Sequence, residues 1–144
     1  MFSKACQYGL KASIFIVEQS ARNIRVSLKE IAKNINSPEA FTAKILHNLA
    51  RRDIITSRKG PKGGFEISME KARNTTLKDI VYAIDGDSVY QGCVLGFESC
   101  DENAPCAAHH KLAGIREQLK RKLNNTTLYE MAEQVSEGAA VLKR

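Results

Sequence analysis

Apolar residues recur at helical spacing over residues 4–21. Ala5, Tyr8, Ala12, Phe15 and Ile16 share one stripe, and Leu10, Ile14 and Val17 widen it. So wide a stripe predicts a first helix buried on most sides, with Asn23 as a stop. Ser27-Leu28-Lys29-Glu30 has the spacing of a capping box, in which the Ser hydroxyl accepts from the Glu amide and the Glu carboxylate accepts from the Ser amide. Leu28, Ile31, Ala32 and Ile35 then predict a second helix ending near Asn36. Ser37-Pro38-Glu39 predicts a third, with Ser37 as N-cap, Pro38 in the first helical position and Glu39 facing the positive end of the helix dipole. Its buried face should carry Phe41, Ile45, Leu46 and Leu49, and its exposed face Thr42, Ala43, Lys44, His47 and Arg51. Two helices so closely joined read as a helix-turn-helix.

The period then changes. Residues 54–58, Ile-Ile-Thr-Ser-Arg, are largely β-branched and predict a strand, and Phe65-Glu66-Ile67-Ser68 alternates like its return. Between them Lys59-Gly60-Pro61-Lys62-Gly63-Gly64 is a turn-rich tip, and a hairpin directly after a helix-turn-helix is a wing. Thr76 to Asp79 resembles another capping box, opening a helix that stops at Gly86. Residues 86–106 are loop-like, 107–124 predict a long helix with a seam of Leu112, Ile115, Leu119 and Leu123, and Thr127 caps a last short helix before a weakly ordered tail from Glu137. The fold class expected is mostly α with a small β-hairpin. A winged helix-turn-helix domain occupies residues 1–85, a cysteine-rich ligand loop 86–106, and a dimerisation helix with its tail 107–144.

Charge sharpens this division. Residues 1–75 hold fourteen Lys and Arg against six Asp and Glu, whereas residues 76–144 hold eight against ten. The basic half is the one expected to meet a polyanion. No apolar run approaches the roughly twenty residues that span a bilayer, and the start lacks a signal-peptide pattern, so a cytoplasmic protein is expected. In that compartment the four Cys are thiols or metal ligands rather than disulfides. No nucleophile–base pair, phosphate loop or paired carboxylates suggest an enzyme.

A helix-turn-helix sets its second helix in the major groove, where base edges carry a readable code. The residues expected to face DNA there are Ser37, Glu39, Ala40, Thr42, Ala43 and Lys44, with Glu39 suited to a cytosine amino group and Thr42 and Ala43 to a thymine methyl. Arg51, Arg52 and Arg58 are better placed for phosphates. Arg58, Lys59 and Lys62 put three cations on the Gly-rich wing tip, where small residues let the backbone approach the duplex.

Residues 93–110 gather Cys93, Cys100, Cys106, His109 and His110. Thiolates are soft ligands suited to iron–sulfur clusters or zinc, and His109 follows Cys106 by three residues. Thiol-based redox sensing without metal and inert loop thiols are the other readings of these residues.

Ser27-Leu28-Lys29-Glu30-Ile31-Ala32, Lys44-Ile45-Leu46 through Leu49, the wing Arg58 to Phe65 and the opening Tyr8-Gly9-Leu10-Lys11-Ala12 together resemble the Rrf2 family of bacterial winged-helix transcription regulators, over roughly residues 2–135. The resemblance implies a homodimer on a double-stranded operator, with the long helix crossing its partner. Its IscR- and NsrR-like members imply an iron–sulfur cluster of the [2Fe–2S] kind, labile in air, that senses redox state, nitric oxide or cluster supply. The implied ligands are Cys93, Cys100, Cys106 and His109, although the gap from Cys93 to Cys100 is one residue longer than in that pattern. A partner-subunit ligand would fall near Gln7 or Cys6, and Cys6 also reads as a small core residue. Other members of the family imply the alternative, a regulator without a cluster that senses a small molecule, a partner protein or thiol oxidation.

Overall fold

The computed structural model describes residues 2–93 and 95–144. Along them run α1 (Lys4–Ser20), α2 (Leu28–Ile35), α3 (Glu39–Arg51), β1 (Thr56–Arg58), β2 (Gly64–Glu66), α4 (Met69–Asn74), α5 (Leu77–Asp85), α6 (Ser88–Gln91), α7 (His109–Asn125) and α8 (Leu128–Ser136). This is the mostly helical winged helix-turn-helix that the pattern predicts.

The wide apolar stripe makes α1 the spine of the core. Cys6, Gly9, Ala12 and every residue from Ser13 to Val17 are buried, and the helix packs on α2, α3, α5 and α8. Gly9 sets the closest approach: a Cβ there would stand 2.2 Å from Ile84 Cδ1 and 3.4 Å from Ile45 Cγ2. The Ile84 terminal methyl occupies the space that a side chain at this position would take. The capping box of α2 forms as predicted, with the Ser27 amide donating to Glu30 Oε2 at 2.7 Å and the Glu30 amide to Ser27 Oγ at 3.2 Å. Those of α5 (Thr76 and Asp79) and α8 (Thr127 and Glu130) form in the same way.

The start of α3 differs from the sequence expectation. Pro38, not Ser37, is the N-cap and makes no side-chain cap bond. The Ser37 hydroxyl instead pairs with the Thr42 hydroxyl. Thr42 Oγ1 also donates to the Pro38 carbonyl at 2.8 Å, and the residue is fully buried. A threonine bonded back to the preceding turn satisfies its polar atom locally and can present its methyl to the core. Phe41, expected inside, sits at the rim and meets the Tyr8 ring edge-on at 5.8 Å. The two neighbours have exchanged faces.

The wing is shorter than predicted. Ile54 and Ile55 are buried core residues ahead of β1, reached through Asp53 in the left-handed region (φ 57°). β1 and β2 pair antiparallel, Thr56 with Glu66 and Arg58 with Gly64. Val26, just before α2, adds a bridge to Phe65, its amide donating to the Phe65 carbonyl at 3.1 Å and the return bond measuring 2.7 Å. Gly64 takes φ 141°, and a Cβ there would lie 2.5 Å from the Val26 carbonyl oxygen, so glycine lets the wing close on this strand. Ile67 has left the strand and is buried, and Ser68 caps α4, a short helix that the sequence pattern did not announce.

The C-terminal segment returns to the first domain. The Leu77 amide donates to the Thr126 carbonyl and the Leu128 amide to the Thr75 carbonyl, both at 2.9 Å, which clasps the start of α5 to the start of α8. Leu128 and Ala132 enter the main core, and Leu142 of the tail packs against it. A smaller cluster of Cys6, Val81 and Leu123, with Leu119 and Tyr90 against it, seats α7 on α1, α5 and α6. The expected seam of α7 is therefore divided. Leu119 and Leu123 pack within the chain, while Ile115 stays 60% exposed. No helix among the described residues is long and apolar enough to cross a membrane.

Candidate nucleic-acid interface and metal centre

On α3, Ala40, Lys44, His47 and Arg51 form one exposed stripe at i, i+4, i+7 and i+11, with Glu39 exposed in the first turn. Ala43 and Ser37 are half-buried at its edge, and Thr42 is turned away from it. Arg52 is exposed and donates to Asn48 Oδ1 at 3.3 Å. The surface is thus narrower than the sequence implied: a short cationic stripe led by one carboxylate.

The wing carries its charge unevenly. Arg58 Nε donates to Glu66 Oε1 at 2.6 Å, and Arg25 Nε donates to Glu66 Oε2 at 3.0 Å. Arg58 first, and then Arg25, hold the Glu66 carboxyl below its ordinary range. Arg25 Nη1 also donates to the Lys62 carbonyl at 2.8 Å, bracing the tip from the segment before α2. Of the three tip cations, Arg58 is therefore occupied. Lys59 and Lys62 are exposed, and neither forms a salt bridge among the described residues. Arg25 braces the wing and escapes sequence reasoning, because no local motif marks it and its partners lie 37 and 41 positions away.

The four candidate ligands line one pocket of about 480 Å³ with Phe97 and Pro105. They stand as two pairs. Cys93 Sγ and Cys106 Sγ are 3.7 Å apart, and Cys100 Sγ is 3.1 Å from His109 Nδ1. The backbone amide of Phe97, aided by those of Leu95 and Gly96 and by the Cys106 thiol, holds the Cys93 thiol below its ordinary pKa. His109 is buried at the first turn of α7. Arg116, farther along α7, donates from Nη2 to Cys100 Sγ at 2.8 Å and from Nη1 to the Gly92 carbonyl at 2.9 Å.

Among the described residues, no three His, Cys, Asp or Glu side chains gather closely enough to hold a single ion. A tetrahedral zinc site would need four such donors on one centre. Two separate pairs instead match the demand of a two-iron cluster, in which each iron takes two protein ligands. The 3.7 Å between Cys93 and Cys106 also matches the edge of a tetrahedral dithiolate, roughly 3.7–3.8 Å for bonds near 2.3 Å. The donor types, three thiols and one imidazole, suit an iron–sulfur cluster or zinc.

Cys6 does not join this pocket. It is fully buried in the smaller cluster with Val81 and Leu123, and its thiol is pushed up to about 12 by burial and by the neighbouring Asp85. A thiol held protonated is a poor ligand. Gln7 is exposed and donates to the Phe2 carbonyl.

Comparison with known proteins converges on one group. The Rrf2 family profile, described as iron-dependent transcriptional regulators, matches residues 2–134. An HTH-type transcriptional regulator of Aquifex aeolicus is 32% identical over 133 residues, covering 91% of this chain and 90% of that protein. The structure of CymR, the global cysteine regulator of B. subtilis, superposes with a TM-score of 0.76 at 25% identity, covering 92% of this chain and 96% of the other. IscR of T. potens superposes with a TM-score of 0.72 at 18% identity over 98% and 92% of the two chains, a likeness of fold. The chain belongs to the Rrf2 family of transcriptional regulators.

Proposed function

We propose that this protein is a homodimeric, sequence-specific DNA-binding regulator of the cytoplasm whose operator affinity is set by a [2Fe–2S] cluster on Cys93, Cys100, Cys106 and His109. The observation that carries the cluster reading is the pairing of three thiols and one imidazole, two by two, around one pocket at the foot of α7. When bound, such a cluster supplies a one-electron couple and sites open to oxidants and nitric oxide. The chain supplies the ligands and a partly apolar pocket wall.

For DNA, the stripe Ala40, Lys44, His47 and Arg51 enters the major groove, Glu39 reads a base edge, and Lys59 and Lys62 meet phosphates beside it. The exposed Ile115 on α7 supports pairing of two copies along that helix. Because the pocket is built partly from α7, a cluster that binds one dimer geometry better than another would shift the spacing of the two DNA-reading heads.

The likeness to a cysteine regulator at 25% identity, together with the adjacent Cys93 and Cys106 thiols, supports a second reading, in which thiol oxidation acts without a cluster. Anaerobic purification with an absorbance spectrum and iron and sulfide assays separates the two. Near-stoichiometric iron and sulfide per pocket, lost in a variant with Cys93, Cys100 and Cys106 all changed to Ala, supports the cluster. A colourless, iron-free chain, or an operator response unchanged in that variant, refutes it.

A further inference from the structure

Arg116 lies seven positions beyond His109 on α7, two turns farther along the same face. It reaches back to the ligand loop with both arms of its guanidinium, to the Gly92 carbonyl at 2.9 Å and to Cys100 Sγ at 2.8 Å. Cys100 is thus held by two side chains of one helix, since His109 Nδ1 stands 3.1 Å from the same sulfur. Gly92 ends α6, its amide bonded to the Ser88 carbonyl at 3.0 Å, and Cys93 follows directly. One cation therefore pins the segment on both sides of Cys93 to α7. Its partners lie 24 and 16 positions away in the chain, and it forms no salt bridge among the described residues.

We infer that Arg116 is a positioning residue for the ligand Cys100, an inference that rests on the cluster reading above. It sets the loop against α7 before a cluster is taken up. With the cluster in place it keeps a cationic N–H donor on a ligand sulfur. Hydrogen bonds and positive charge at ligand sulfurs stabilise the more negative, reduced state and raise the reduction potential. Arginine suits the task because its planar fork serves a carbonyl and a sulfur at once, which an ammonium does not.

The test compares the full-length wild type with R116Q and R116K. Equal far-ultraviolet circular dichroism first establishes that the variants fold. In the cluster-free chains, exchange of the Gly92 and Gly96 amides, which are bonded to the Ser88 and Cys93 carbonyls, should be faster in R116Q by on the order of tenfold, as expected for loss of a charge-assisted bond. In the loaded chains, R116Q should lower the midpoint potential by about tenfold in the reduced-to-oxidised ratio, 59 mV for a one-electron couple. R116K should recover most of the potential, because the charge remains, while its exchange stays fast, because the fork is gone. Unchanged exchange in R116Q overturns the inference, and so does faster exchange with an unchanged potential. A wild-type chain that takes up no iron or sulfide fails the cluster reading itself, and this is seen before any variant is compared.

Discussion

Lys59 and Lys62 are the two tip cations of the wing that form no salt bridge among the described residues, and their removal tests the DNA-binding surface most directly. Each lysine that neutralises a phosphate releases counterions and contributes about 0.9 to the slope of log K against log salt concentration. At 0.15 M salt that slope corresponds to about fivefold in affinity per contact. In a dimer with both wings engaged, Lys59→Ala removes two contacts. The slope should become shallower by about 1.8 and binding should weaken about thirtyfold. Lys62→Ala should match it. Arg58→Ala should cost less than half as much on the logarithmic scale, because Glu66 already holds that guanidinium at 2.6 Å. Fluorescence anisotropy on an operator duplex across a salt series measures both slope and affinity. Stability should change by no more than about 0.5 kcal/mol, since both lysines are exposed. A double Lys59, Lys62 variant that keeps the wild-type slope would refute the assignment of the wing to phosphates.

Three further outcomes are expected. Leu128→Ala should destabilise the whole chain by about 2–5 kcal/mol in urea, as for a core leucine, because α8 completes the core around α1; a loss of a few tenths would mean that α8 is peripheral. Ser27→Ala should cost about 1 kcal/mol through loss of the α2 capping box, measured as a lower melting temperature. The Glu66 carboxyl has a lowered folded pKa, so its contribution is full above the unfolded carboxylate value near 4.3 and is lost as pH falls through the lower folded value. Wild type should therefore exceed Glu66→Gln in stability at neutral pH, with the gap closing in acid; a gap independent of pH would deny the ion pairs this role.

The parts of the fold legible in the sequence are those written in short-range signals. The boxes at Ser27, Thr76 and Thr127 each fix a helix start with residues three apart, and all form. Phase along α3 was harder to read. Phe41 and Thr42 adjoin, and the back-bond of Thr42 to Pro38 and the edge-on contact of Phe41 with Tyr8 accompany the choice of which one turns inward. Ile54 and Ile55 looked like strand because β-branched residues also serve as core anchors in a turn. The four candidate ligands are visible as residue types within one stretch, whereas their division into two pairs is not. Arg25 and Arg116 were silent in the sequence because each acts on partners distant in the chain and carries no spacing rule of its own.

The clasp between Thr76 and Thr127 has a consequence for how such a chain can diversify. The chain between Thr76 and Thr127 is a bight of rope held at its neck by this clasp, with Tyr90, Leu119 and Leu123 seating part of it on α1 and α5. Closing a loop of roughly fifty residues is already part of the fold, and one more residue adds only about 0.02 kcal/mol of closure entropy. A longer or shorter stretch between Cys93 and Cys100 therefore costs the helix-turn-helix and its wing almost nothing. Cysteine spacing can be revised inside the bight while the helix-turn-helix and its wing keep their shape.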